Sequence, residues 1–263
     1  MTQYEEASSL FVPHPAYGRY RSHHPSRRIV LMVRAGVAYT IAVIVLQLLT
    51  WNVSDNVAAI FLPVAYGGIA AAALWYVVHY WNREVVLYER GFTYHEGSRT
   101  GQFYYKDITT VRQNIEDLSI GRLRLRTIYT YQMISRFDEQ LTINNIYSET
   151  RNLINRLDSF IARERLPELR EDLAQGKPIQ FGDAFQLTQE GIRYDGKTLV
   201  WDDVVNVRVR GGSLIIDSGD SEAWAIESVP AIDNVVIIIG MIKALAPRIE
   251  QSPQTTEEQE VSV

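Results

Sequence analysis

Two long apolar runs stand close together near the N-terminus, IVLMVRAGVAYTIAVIVLQLLTWNV at 29–53 and VAAIFLPVAYGGIAAAALWYVVHYW at 57–81. No charged residue lies between Ala35 and Trp51, and none between Val57 and Trp81. A helix needs about 20 apolar residues to cross a bilayer. Each run is long enough once Arg34 reaches back to the headgroups. Asn52–Asn56 leaves room for a tight turn only. The pattern predicts a transmembrane helical hairpin over 29–81; two buried helices of a soluble protein fit such charge-poor length badly. Trp75, Tyr76, Tyr80 and Trp81 suit an aromatic belt at one interface, and Trp51 suits the other. Gly67, Gly68, Ala71 and Ala72 form a small-residue face, whose plain use is packing against the first helix and whose sharper use is homodimerisation. Pro63 invites a kink, and His79 suits a wet interfacial position. With no Asp, Glu, Lys or Arg at mid-membrane, the hairpin is a poor channel or transporter.

Beyond Asn82 the period drops to two. REVVLYERGFTYHEG and GQFYYKDITTVRQN read as strands around a turn near Gly97, and GRLRLRTIYTYQMI and EQLTINNI as further strands. At 148–165 the spacing becomes helical, with Leu153, Ile154, Leu157, Phe160 and Ile161 on one face, Ser148 as N-cap and Pro167 ending the helix or starting a short second one. The pattern then recurs. Gln189-Glu190-Gly191-Ile192 echoes Glu89-Arg90-Gly91-Phe92, and Trp201-Asp202-Asp203-Val204 echoes Tyr105-Lys106-Asp107-Ile108. More strands follow, and Asp233 can cap NVVIIIGMIKAL, which is too short to span a bilayer and reads as a core helix, a strand being the alternative. Each half is a run of strands followed by a helix, so the expected fold class is a membrane α-helical hairpin plus an α+β soluble region of two modules. Each module is a small antiparallel sheet or partial barrel with a C-terminal helix, the plan of a pleckstrin-homology-like (PH-like) fold. The chain divides into a flexible N-terminus 1–28, the hairpin 29–81, modules 82–177 and 178–250, and a disordered acidic tail 251–263.

Charge sets the orientation. The 263-residue chain has net charge −5, yet Arg19, Arg21, Arg27 and Arg28 precede the first run, Arg34 lies near its start and Arg83 follows the second. The hairpin turn has no Lys or Arg, so both termini and the modules are expected in the cytoplasm, at the inner membrane. The apolar run starts too late and is too long for a cleaved signal peptide. The acidic remainder argues against nucleic acid as partner. With no cysteine, disulfides and thiolate metal sites are excluded.

VVLYERGFTY, YKDITTV, RLPELREDLAQGKPIQFG and LTQEGIRYDGKTLVWDDVVNV carry a resemblance over roughly 84–245. The chain resembles uncharacterised bacterial membrane proteins with an N-terminal transmembrane hairpin and tandem cytoplasmic PH-like domains. The resemblance implies a fold and no catalytic residues.

LVWDDVVNVRVR at 199–210 looks most like chemistry. Alternation expects Val205, Val207 and Val209 inward, with Asn206, Arg208 and Arg210 outward. Asp202 and Asp203 are adjacent and cannot face one another as an acid/base pair. No histidine lies near them to complete a metal site. A turn in which the short acid bonds backbone N–H groups is expected instead. In GRLRLRT, Arg122, Arg124 and Arg126 share one strand face, free to bind anionic headgroups or paired with Glu116, Asp117 or Asp138. No phosphate loop or nucleophile motif appears, and His95 is the only histidine after residue 82. The expectation is a non-enzymatic membrane-anchored binding module without catalytic, cofactor or metal residues. Its partner is a protein or a second copy, met through Arg122, Arg124, Arg126, Arg208 and Arg210. The alternatives are an anionic-lipid sensor and a non-catalytic accessory subunit of a membrane enzyme or transporter.

Overall fold

The described residues of this computed structural model are 15–51, 55–120, 123–247 and 249; the side chains at 15, 55–60 and 117–126 fall outside the description. The expected tail 251–263, residues 1–14 of the expected flexible N-terminus and Arg122 lie outside it too. The chain forms two compact units: Met1–Tyr104 with Ile143–Leu153, and Tyr105–Thr142 with Ile154–Val263.

In the first unit a 3-10 turn, Pro15–Tyr17, leads into β1 (Tyr20–Pro25). Two helices follow, α1 (Arg28–Thr50) and α2 (Asp55–Trp81), then β2 (Glu84–Tyr88), β3 (Gly91–Glu96) and β4 (Arg99–Tyr104). The sheet order is β1-β2-β3-β4, and β1 pairs antiparallel with β2 from Tyr20↔Tyr88 to Pro25↔Glu84. Residues 15–28, expected to be flexible, are therefore part of the fold. The pairing satisfies the backbone groups along one side of β1, and Tyr17 is buried, its ring stacked 4.4 Å from that of Tyr104.

Both apolar runs are helical as expected, and both are long and apolar enough to cross a membrane. Their side chains are mostly exposed, with Leu49 74% and Val64 73% accessible, and only Leu31 and Ala35 of α1 are buried. Such surfaces are not those of core helices. The helices pack together and share a bond from Gln47 Nε2 to Tyr66 Oη at 3.1 Å. The small face of α2 is not where α1 sits. Gly67, Gly68, Ala71 and Ala72 are exposed, and a Cβ at either glycine meets open space. The half-buried side of α2 runs instead through Leu62, Tyr66, Ile69, Ala73 and Tyr76, at three- and four-residue spacing. Pro63 lies inside α2.

The second unit opens on the 3-10 turn Tyr105–Asp107, followed by β5 (Ile108–Ile120), β6 (Leu123–Ser135) and β7 (Gln140–Asn144), in sheet order β5-β6-β7. α3 (Thr150–Ala174) runs on through Pro167, which neither ends it nor starts another helix. Its first bond, Leu153 N to Glu149 O at 2.9 Å, begins one residue beyond the expected cap Ser148, whose N–H is held by Pro25 O. Then come β8 (Ile179–Phe181), β9 (Phe185–Leu187), β10 (Gly191–Tyr194) and β11 (Lys197–Val200), in order β11-β10-β9-β8. The 3-10 turn Trp201–Asp203 leads to β12 (Val204–Arg210), β13 (Ser213–Ser218) and β14 (Ser221–Ser228), in order β12-β13-β14, and to α4 (Val235–Leu245). NVVIIIGMIKAL is thus helical. Asn234, with φ 57, occupies its N-cap, while the expected cap Asp233 forms an ion pair with Arg112.

The repeat read from sequence is real in the element order: four strands, a 3-10 turn, three strands and a helix, twice. It extends to a glycine. A Cβ on Gly91 would overlap the Phe103 carbonyl oxygen, and one on Gly191 that of Leu199. It extends to a bulge as well, since the register slips between Ile108 and Thr110 in β5 and between Val204 and Asn206 in β12. The repeat also locates the hairpin. β1 and β2 correspond to β8 and β9, which pair antiparallel across a short turn from Phe181 to Phe185. α1 and α2 are therefore an insertion into the first strand turn of the first repeat, and do not stand in front of it.

Gly91→Ala and Gly191→Ala should each destabilise by about 1–3 kcal/mol, since the new methyl must push a strand away. Gly67→Ala should be near neutral. Thermal unfolding of the detergent-solubilised chain measures all three.

Candidate functional site

The stretch 199–210 is a sheet corner. Asp202 and Asp203 are exposed, and among the described residues neither side chain bonds a backbone N–H. The corner is tied by main chain instead: Gly219 N donates to Asp203 O at 2.9 Å. The first repeat makes the same bond, Arg136 N to Asp107 O at 2.8 Å, and adds an ion pair between the buried Asp107 carboxylate and Arg136 Nη2 at 2.7 Å. The expected side-chain bond thus gives way to a carbonyl, an acceptor every residue supplies. The bulge corrects the valine face too. Val204 and Val207 are buried three residues apart, as are Ile108 and Val111, whereas Val209 is 48% exposed. One extra residue at a bulge shifts which side chains face inward.

Arg208 is not free for a partner. Its guanidinium pairs with buried Asp217 on β13, which also accepts Ala223 N at 2.9 Å. Arg210 is exposed on the edge strand β12. Arg124 and Arg126 stand on β6 across from Ser119 and Leu118, so neither has an acid directly opposite; Asp117 faces Thr127. Their side chains, like all of Arg122, lie outside the described residues.

The structure adds a cluster that sequence reading missed. Asp158 of α3 accepts Tyr131 Oη at 2.8 Å and Gln113 Nε2 at 2.7 Å. No cation pairs with it among the described residues. Burial pushes its carboxyl up to about 6, the two hydrogen bonds opposing. The Tyr131 hydroxyl is raised well above its usual range by burial and the neighbouring carboxylate, so it stays a donor. Asp158 borders a shallow depression with Val111, Ile161, Asn234, Val236 and Ile237. The helical spacing of 153–161 was legible, but that position 158 meets two polar groups from distant strands was not.

A second cluster sits in the first unit where the hairpin leaves the sheet. Ser26 Oγ donates to Trp81 O at 2.8 Å, and Ser26 N to Arg83 O at 2.7 Å. Arg83 pairs with Glu96 and lies 4.4 Å over the Tyr80 ring. Arg27 N is held by Ile146 O at 2.7 Å. Buried His24 bridges Ser22 Oγ (3.1 Å) and Ser148 O (3.3 Å), and His23 meets Glu84 at 3.0 Å. This arrangement holds the joint between hairpin and sheet. Among the described residues no group of three or more His, Asp or Glu is placed to hold a metal ion.

A double-repeat sheet protein carrying an apolar helical hairpin is the class these observations define. The chain belongs to a family of unknown function, DUF6585, whose profile matches residues 14–250. No curated protein and no solved structure matches it.

Two predictions follow from the geometry. Asp107→Ala should cost about 1–3 kcal/mol, because a buried ion pair and its packing are lost, whereas Asp202→Ala and Asp203→Ala should stay within about 0.5 kcal/mol. For Asp158 the native carboxyl holds its proton to about pH 6, and the unfolded one only to about 3.9. Stability from this group is therefore greatest in acid and falls as pH rises from about 4 to 6, by up to about 3 kcal/mol. Asp158→Asn should remove that slope. Unfolding midpoints between pH 4 and 8 for wild type and variant measure it.

Proposed function

We propose that this chain is a non-enzymatic, membrane-anchored binding protein. The α1–α2 hairpin spans the bilayer twice, and both termini and the two folded repeats lie in the cytoplasm, at the inner membrane. The observation that carries the reading is the inserted hairpin, whose apolar faces are almost wholly exposed and whose ends both enter paired strands. Orientation rests on the arginines at the hairpin base and on a turn that has none. The repeated order of four strands, three strands and a helix supports a PH-like identity for each module. The expected work is binding a protein partner or a second copy, with exposed Arg210 on the edge of β12 as the favoured contact. Confinement to a membrane raises the module's effective concentration for other membrane-bound proteins.

The absence of cysteine makes topology testable. Ser54→Cys should react with a membrane-impermeant maleimide on intact cells, and Ser98→Cys only after lysis; the reverse pattern sinks the orientation. The chain should stay in the membrane pellet at alkaline pH, and release into the supernatant removes the spanning reading. A photo-crosslinking residue at 210 should trap an adduct of discrete mass in native membranes. A chain that stays monomeric there rules out Arg210 as the contact.

A further inference from the structure

The arginines before α1 fall into two sets that sequence alone could not separate. Arg21 pairs with Glu89 at 2.9 Å, and Arg19 N bonds the same carboxylate at 3.3 Å. Both lie at the far end of β1, roughly 20 Å of strand away from the hairpin. Arg27 and Arg28 lie at its foot and are exposed, and the Arg28 guanidinium stands 5.3 Å over the Trp81 ring. The β3–β4 turn reaches the same foot: the Cβ position of Gly97 lies 3.7 Å from His79 O, in the last turn of α2. Exposed Arg99 follows two residues later.

Of the acids near this foot, Glu84 pairs with His23 and Glu96 with Arg83, and Glu149, beside the Ser148 that bonds Pro25 O, accepts Asn152 Nδ2 at 3.0 Å. Among the described residues no carboxylate pairs with Arg27, Arg28 or Arg99. Two elements, the start of α1 and the start of β4, thus bring guanidinium groups that make no ion pair among the described residues to the side of the sheet where the two apolar helices leave it. A guanidinium presents a donor fork matched to phosphate oxygens, and Trp81 beneath Arg28 belongs at a bilayer interface. Because both helix ends run directly into paired strands, this collar is held at a fixed depth.

We propose that Arg27, Arg28 and Arg99 form a binding site for the phosphate groups of anionic phospholipids in the leaflet on the modules' side. The proposal rests on the hairpin spanning the bilayer. Its ligand is bilayer lipid, and its residues are distinct from Arg122, Arg124 and Arg126.

The test uses the full chain reconstituted into phosphatidylcholine bilayers. Electron paramagnetic resonance then compares immobilisation of trace spin-labelled phosphatidylglycerol with that of spin-labelled phosphatidylcholine. The expected result is a preference of roughly two- to fivefold for the anionic label. It should fall to about one in Arg27→Gln/Arg28→Gln/Arg99→Gln with the total immobilised fraction unchanged, and persist in the triple Lys variant. Equal immobilisation of both labels by wild type, or a preference that survives the triple Gln change, overturns the collar while leaving the anchor intact. Loss only in Arg122→Gln/Arg124→Gln/Arg126→Gln moves the lipid contact to the β5–β6 hairpin and overturns it as well. No immobilised population of either label is the signature of a chain outside the bilayer, and removes the spanning reading together with the collar.

Discussion

Main-chain pairing of β1 with β2 is the constraint on which the first unit depends. These strands are separated by the whole hairpin, yet Pro25 stands opposite Glu84. The helices begin and end within a few residues of that pair. A helical hairpin attached by one linker would swing; one attached at both feet to adjacent strands is restrained, because tilting strains the bonds that Ser26 and Arg27 make at the joint. Ser26 locks the junction by bonding to both Trp81 and Arg83. The turn before α3 joins in through Ile146, Tyr147 and Ser148. Little conformational entropy remains at the joint, which makes the hairpin a rigid mount.

The two repeats show what the framework requires and where it was elaborated. Gly91 and Gly191, the paired bulges, and the carbonyls of Asp107 and Asp203 occupy matching places. They answer geometric needs: a strand that approaches too closely for a Cβ, a twist at a sheet edge, and a corner bond. The differences are additions. The first repeat holds the hairpin where the second has a short turn, and its β5–β6 strands run for 13 residues each against 7 and 6 in β12 and β13. The acid that is exposed in the second repeat is buried and ion-paired in the first.

Asp158 is a different kind of feature. A carboxylate buried without a cation costs stability, and here two neutral donors offset only part of that cost. Its proton is consequently exchanged in a range where ordinary aspartates are fully ionised. The cluster joins α3 to β5 and β6, so the packing of that helix is linked to pH.

The sequence by itself determined the paired apolar helices, the strand-rich repeats, the turn after Trp201 and the helical start of α3, because these follow from local period, charge and turn residues; for α4 it left helix and strand both open. The echo of Gly91-Phe92 in Gly191-Ile192 was legible for the same reason. Only the tertiary structure decided that YRSHHP is a strand, since its partner lies some 60 residues on and mixed polar residues give no period. Likewise it decided that Arg208 belongs to Asp217, that the small face of α2 turns away from α1, and that the β3–β4 turn before Arg99 reaches the end of α2. Each of these depends on register or on contacts between distant segments, and a chain read one window at a time carries no information about which distant backbone it will pair with.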